Sequence, residues 1–187
     1  MRLVFLVLLT LSGLAACSST PPTAANDPLN QSSAVAVTLP GFVTGPATTL
    51  HWHSDLVWAD DETGQFERRG QVLQKALQDE FERKGYRFVG DAASATYDVV
   101  AVAMLGDVKS HSDILEVFRL YPALAQPAKG YDKGTVMVAI APEGTKDIVW
   151  RGALQVFTDT GMMPAAERQQ RLEWGARQVL ASIPSIR

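Results

Sequence analysis

Cysteine occurs once in the 187 residues, at position 17, so no disulfide can close within the chain. Long apolar runs are missing too. Leu3–Leu9 and Val99–Leu105 are continuous, but a bilayer-spanning helix needs about 20 apolar residues. An excess of positive charge is also lacking. Seventeen Lys and Arg against 20 Asp and Glu give a net charge of −3. Without the first 16 residues, which carry only Arg2, the count is 16 against 20, or −4. Nucleic-acid binders show a basic patch or stripe, so none is expected as a partner. The chain has no G-x-S-x-G, no H-E-x-x-H and no Gly-rich phosphate loop. His53-Ser54-Asp55 holds the residue types of a triad. Neighbours in a chain point apart and cannot form a triad's hydrogen-bonded line. No catalytic residue and no cofactor is therefore assigned, and the chain reads as a non-enzyme.

What is present begins with MRLVFLVLLTLSGLAAC. A basic start, a short apolar stretch and small residues make a secretory signal. Leu14-Ala15-Ala16-Cys17 resembles the lipobox of bacterial lipoproteins. That resemblance implies cleavage before Cys17, diacylglyceryl on its sulfur and acylation of the new amino group, palmitate being typical. Two or more chains anchor stably, at about 0.8 kcal/mol per buried CH₂. Ser18, where an Asp would signal retention, implies by the same resemblance the cell outer membrane, with the domain facing the periplasm.

Residues 18–32, SSTPPTAANDPLNQS, are poor in bulky apolar side chains. Such a stretch cannot offset its ordering entropy. The organisation expected is a signal peptide over 1–16, a lipidated Cys17 and flexible tether over 17–32, and one α+β domain over 33–187. About 150 residues suffice for one core.

Within the domain, Ala34–Leu39 is a candidate first strand. Thr48–His53 alternates, with Leu50 and Trp52 on one face and Thr49, His51 and His53 on the other. Gly64–Lys84 carries Phe66, Leu73, Leu77 and Phe81 on one helical stripe, with Gly85 as a C-terminal stop. Tyr97–Leu105 and Gly134–Ala141 are apolar on both faces, as strands of a sheet interior are. Pro142–Lys146 is turn material, so Asp147–Phe157 should return as a hairpin partner. In that strand Ile148, Trp150, Gly152, Leu154 and Val156 share a face. Arg151 lies on the other, with Asp98 or Asp147 as its partner. The Trp150 indole N–H needs an acceptor, and Gly152 suits close strand packing. Pro164 opens a last helix whose stripe is Leu172, Ala176, Val179 and Ile183. The order β-α-β-β-β-α predicts a two-layer α+β domain, a mostly antiparallel sheet with two helices on one face.

Residues 106–133 carry no strand signal. Ser112–Glu116 could start a short helix, and Phe118, Tyr121 and Tyr131 argue against simple disorder. A connection this long is a flap on the sheet or a partner-contacting loop. In the second case Phe118, Tyr121 and Tyr131 are the candidate contacts. His51 and His53 share a strand face and His111 follows another strand, so the three are weak candidates for Zn or Cu, with Asp55 or Asp107 nearby. Solvent-facing histidines at strand ends are the plainer reading, and no metal is assigned.

Four stretches together resemble the bacterial lipoprotein family of the domain of unknown function 4136. They are Thr49-Leu50-His51-Trp52, Leu77–Gly85 with Tyr86-Arg87, Ala95–Val100, and Gly134-Thr135-Val136 with Val149-Trp150-Arg151-Gly152. Leu50 stands where the family has an aromatic, and Ala141-Pro142 where acidic residues are common. The family implies the fold but offers no site. The expected role is a non-catalytic envelope protein with a protein-binding or assembly function and an envelope protein as partner. The alternative is a carrier of a lipid or other apolar ligand, which predicts a cavity beside the two-sided apolar strands. A His-based metal protein comes last.

Overall fold

The computed structural model describes residues 28–127, 129–159, 161 and 163–186. The signal peptide, Cys17 and most of the expected tether lie outside these. The chain runs through β1 (Ser32–Thr38), β2 (Thr49–Trp52), β3 (Val57–Trp58), α1 (Glu67–Arg83), β4 (Arg87–Phe88), β5 (Tyr97–Leu105), α2 (His111–Phe118), β6 (Tyr131–Pro142), β7 (Trp150–Asp159) and α3 (Ala165–Val179).

One sheet takes the order β1-β7-β6-β5-β2-β4, and β3 also pairs with β5. The β5–β6–β7–β1 half is antiparallel throughout. β2, β3 and β4 join in parallel, because α1 is the crossover between them. The expected mostly antiparallel α+β domain is what forms. The hairpin forms as well, with Ile140 opposite Trp150.

Alternation splits each strand between two cores. Toward α1 and α3 point Leu50, Val99, Ala101, Val138, Ile140, Trp150 and Leu154. They meet Leu73, Leu77 and Phe81 of α1 and Ala176 and Val179 of α3. Each fully buried Val, Leu, Ile or Phe side chain here contributes about 1.5–3 kcal/mol. On the other face Met104, Met137, Ala139 and Ala153 pack with Phe118 and Leu120. The sequence reading placed helices on one face; α2 and the chain after it add a partial third layer.

Helix ends follow local chemistry. The Asp61 carboxylate accepts from Gln65 N at 3.0 Å and Phe66 N at 2.8 Å, just before α1. Gly85, at φ +96°, lets Tyr86 N reach back to the Phe81 carbonyl at 3.1 Å. The space beside Gly85 is taken by the Ile186 carbonyl, 2.7 Å from where a Cβ would stand.

Five expectations need correction. β1 spans Ser32–Thr38 rather than Ala34–Leu39, and Pro28–Asn30 forms a turn ahead of it. β7 begins at Trp150 rather than Asp147. Outside the strand the alternation breaks: Val149 joins the helix-side core and Ile148 the opposite one. The Trp150 indole N–H has no acceptor although the ring is fully buried. Arg151 does not pair with Asp98, whose carboxylate faces His51 and His53, and its Nε is buried without a partner.

Candidate functional site

Residues 107–127 become a strap over the sheet face opposite α1 and α3, while Tyr131–Lys133, expected outside any strand, open β6 ahead of Gly134. Asp60, at φ +57°, turns its carboxylate to the start of α2. It accepts from Lys109 N at 2.6 Å and from Ser110 N at 3.3 Å. These bonds fix the chain as it enters α2. On α2, Ile114, Leu115 and Phe118 lie on one arc and pack into the second core. Arg119 adopts a left-handed conformation, φ 50°, and ends the helix. Leu120 then buries to 3% exposure.

Beyond it the strap is pinned at three points. Ala123 N donates to Ser33 Oγ at 3.1 Å, Leu124 N donates to the buried Gln155 Oε1 at 3.2 Å, and Lys133 Nζ donates to the Leu124 carbonyl at 3.1 Å. These anchors sit on β1, β7 and β6, so the strap crosses three strands. The flap reading describes this segment.

Of the three contact candidates, the structure leaves one outward. Phe118 is 6% exposed and belongs to the core. Tyr131 is half-buried at the start of β6, opposite Asp159. Tyr121 is 65% exposed. Val117, which sequence reasoning passed over, is 70% exposed. Its signal was there: at 100° per residue, Val117 falls outside the arc of Ile114, Leu115 and Phe118. Val117 and Tyr121 thus flank a turn nailed down by Phe118 and Leu120 between them.

The three histidines do not converge. His51 and His53 flank Trp52 and face Asp98, with His51 Nδ1 at 2.9 Å from Oδ1 and His53 Nδ1 at 3.6 Å from Oδ2. A carboxylate only accepts, so His51 Nδ1 carries the hydrogen. His111 stands beyond the far end of β5, about 20 Å away by strand rise. There it lines a polar cleft with Asp107, Asp132 and Lys133. Among the described residues no three His, Cys, Asp or Glu form a group able to hold a metal ion.

No family model matches the sequence. No curated protein matches it either. Solved structures do. A PelC dodecamer from Paraburkholderia phytofirmans superposes with a TM-score of 0.50 at 9% identity, covering 84% of this chain and 99% of that one. This likeness is one of fold alone. A DUF4136 family protein from Bacteroides thetaiotaomicron gives 0.48 at 10% identity, over 81% of this chain and 95% of that one. Lipoprotein GNA1162 from Neisseria meningitidis gives 0.38 at 10% identity, over 73% and 100%.

Proposed function

We propose that this protein is an outer-membrane lipoprotein, anchored through Cys17 and facing the periplasm, that works without catalysis by holding an envelope protein against the α2 turn. The observation that carries this reading is the Val117–Tyr121 pair. Two large apolar side chains stand exposed on a turn whose intervening Phe118 and Leu120 are buried. Rigid exposed anchors bind at low entropic cost. Tyr is also enriched among residues that dominate interfaces. The lipobox and Ser18 support the anchor and its membrane. The PelC structure is a dodecamer, so the partner to be sought includes a second copy of this chain.

The test is complex size. Lipidated protein at native level, solubilised in mild detergent, should migrate in a complex larger than one chain. Val117→Asp with Tyr121→Ser should release it as a single chain with the domain still folded. Wild type migrating alone, or a complex that survives both substitutions, overturns the reading. Cys17→Ser should move the protein out of the membrane fraction.

A second reading, carriage of an apolar ligand, is favoured by a cavity of about 220 Å³ on the opposite side of the sheet.

A further inference from the structure

The cavity lies between the N-terminal halves of α1 and α3 and the helix-side face of β5, β6 and β7. Its walls include Trp58, Leu73, Val156 and Leu172. At about 220 Å³, it exceeds the ~150 Å³ of an engineered apolar cavity that takes up benzene. Three half-buried arginines, Arg69, Arg168 and Arg171, also line it. None of them forms an ion pair with a carboxylate among the described residues. Asp132 and Asp159 line the cavity from the strand side, and the Asp159 carboxylate already accepts from Gly161 N at 2.7 Å.

We infer that this cavity takes the tail of a single-chain anionic amphiphile, with the headgroup held by Arg69 and Arg168. The inference deepens the apolar-ligand reading above and rests on it.

The arginines are not equivalent. Arg171 is committed to backbone, donating to the Phe157 carbonyl at 2.7 Å and to the Leu29 carbonyl at 3.2 Å and 3.3 Å. Arg168 gives one N–H to the Met163 carbonyl at 2.7 Å, which leaves four of its five donors. Arg69 lies over the Phe66 ring at 5.1 Å. Burial, and then the neighbouring Arg168, lower its affinity for its proton. Arg69 and Arg168 line the same cavity and neither is paired with a carboxylate among the described residues, so they can receive an anion at the end away from Asp132 and Asp159. A carboxylate or phosphate there would relieve their repulsion through charge-assisted hydrogen bonds. A neutral apolar ligand would fill the cavity and leave the repulsion in place.

The chain's own geometry names the supply. Arg171 ties the cavity wall to Leu29, the second residue of the described chain. Ten residues lie between Cys17 and Pro28, and the eleven Cα–Cα steps span at most ~40 Å. With the lipid of Cys17 in the membrane, Pro28, next to the Leu29 held by Arg171 at the cavity wall, stands within that distance of the bilayer. Fatty acids and lysophospholipids share the required chemistry.

The test uses the mature chain from residue 17 with Cys17→Ser in place of the lipidated residue. Ligands are titrated below their micelle concentrations and followed by the fluorescence of Trp58 and Trp174. Decanoate should bind at one site at least ten-fold tighter than decanol. Arg69→Gln with Arg168→Gln should erase that preference while decanol binding stays unchanged. Leu172→Trp, which fills the cavity, should abolish both. Decanoyl lysophosphatidylglycerol against decanoate tells the sources apart: tighter binding of the first means membrane phospholipid, of the second free fatty acid. If decanol binds as tightly as decanoate, the headgroup assignment fails and carriage survives. If none of the ligands binds a chain with native circular dichroism, carriage fails as well.

Discussion

The Tyr86 hydroxyl donates to the Pro184 carbonyl at 2.9 Å, across 98 residues of sequence. It closes the C-terminus onto the end of α1. Lys84 does the same from the neighbouring position, its Nζ donating to the Ile183 carbonyl at 3.1 Å, while Ile186 N returns a bond to the Lys84 carbonyl at 2.7 Å. Burial pushes the Tyr86 phenol up to about 12 from an ordinary 10.0, a hydrogen bond with Thr44 pulling partly back. The raised value means that the folded state keeps the proton longer than the unfolded chain. The stabilisation is complete below about pH 10 and is lost as pH climbs toward 12. Tyr86→Phe should cost ~1 kcal/mol at neutral pH. Urea denaturation should show its stability falling less steeply than wild type between pH 10 and pH 12.

Gly152 has no room for a side chain. A Cβ would stand 2.6 Å from Trp150 Cη2 and 3.0 Å from the Val179 carbonyl. Trp150 is fully buried, and Val179 ends α3, so neither yields cheaply. Gly152→Ala should therefore destabilise by ~2–3 kcal/mol in denaturant titrations. The same change at Gly45, with open space around it, should cost less than ~0.5 kcal/mol.

Asp98 joins β2 to β5 through side chains as well as backbone. Its carboxylate is 11% exposed and faces His51 and His53. Asp98→Ala leaves the half-buried His51 N–H without an acceptor, at ~1–3 kcal/mol, while Asp98→Asn keeps an acceptor and should cost less. Thermal melting of the two variants against His51→Gln would show whether the cost runs through that contact.

Much of this was legible in advance because the long elements announce themselves. Val99–Leu105 and Val136–Ala141 are apolar on both faces since both faces of the sheet are covered. Gly85 and Gly152 were readable because only a residue without Cβ fits beside the Ile186 carbonyl or under Trp150. β3 and β4, at two residues each, are too short to show any period. Parallel pairing of β2 leaves no local trace, since its partners β4 and β5 lie beyond α1. Phe118 looked available because it sits in a segment without a strand pattern. The eight-residue α2 turns it inward and turns Val117 out.

Thr135 is 2% exposed, and its hydroxyl has no hydrogen-bond partner. An unpaired buried hydroxyl is a cost that an isosteric methyl removes. Thr135→Val should be neutral or stabilise by up to ~1 kcal/mol, read as a higher urea midpoint at unchanged slope. A loss of stability would mean that the hydroxyl is partnered in solution.

The central claim is that the protein works through contact at the α2 turn. Photo-crosslinking in cells tests it most directly, with a photoreactive residue placed in turn at Val117, Tyr121 and the exposed Glu62, in lipidated protein at native level. The account predicts one dominant crosslinked protein from positions 117 and 121 and none from position 62. A folded, lipidated protein that gives no crosslink from 117 or 121, or the same products from all three positions, would contradict it.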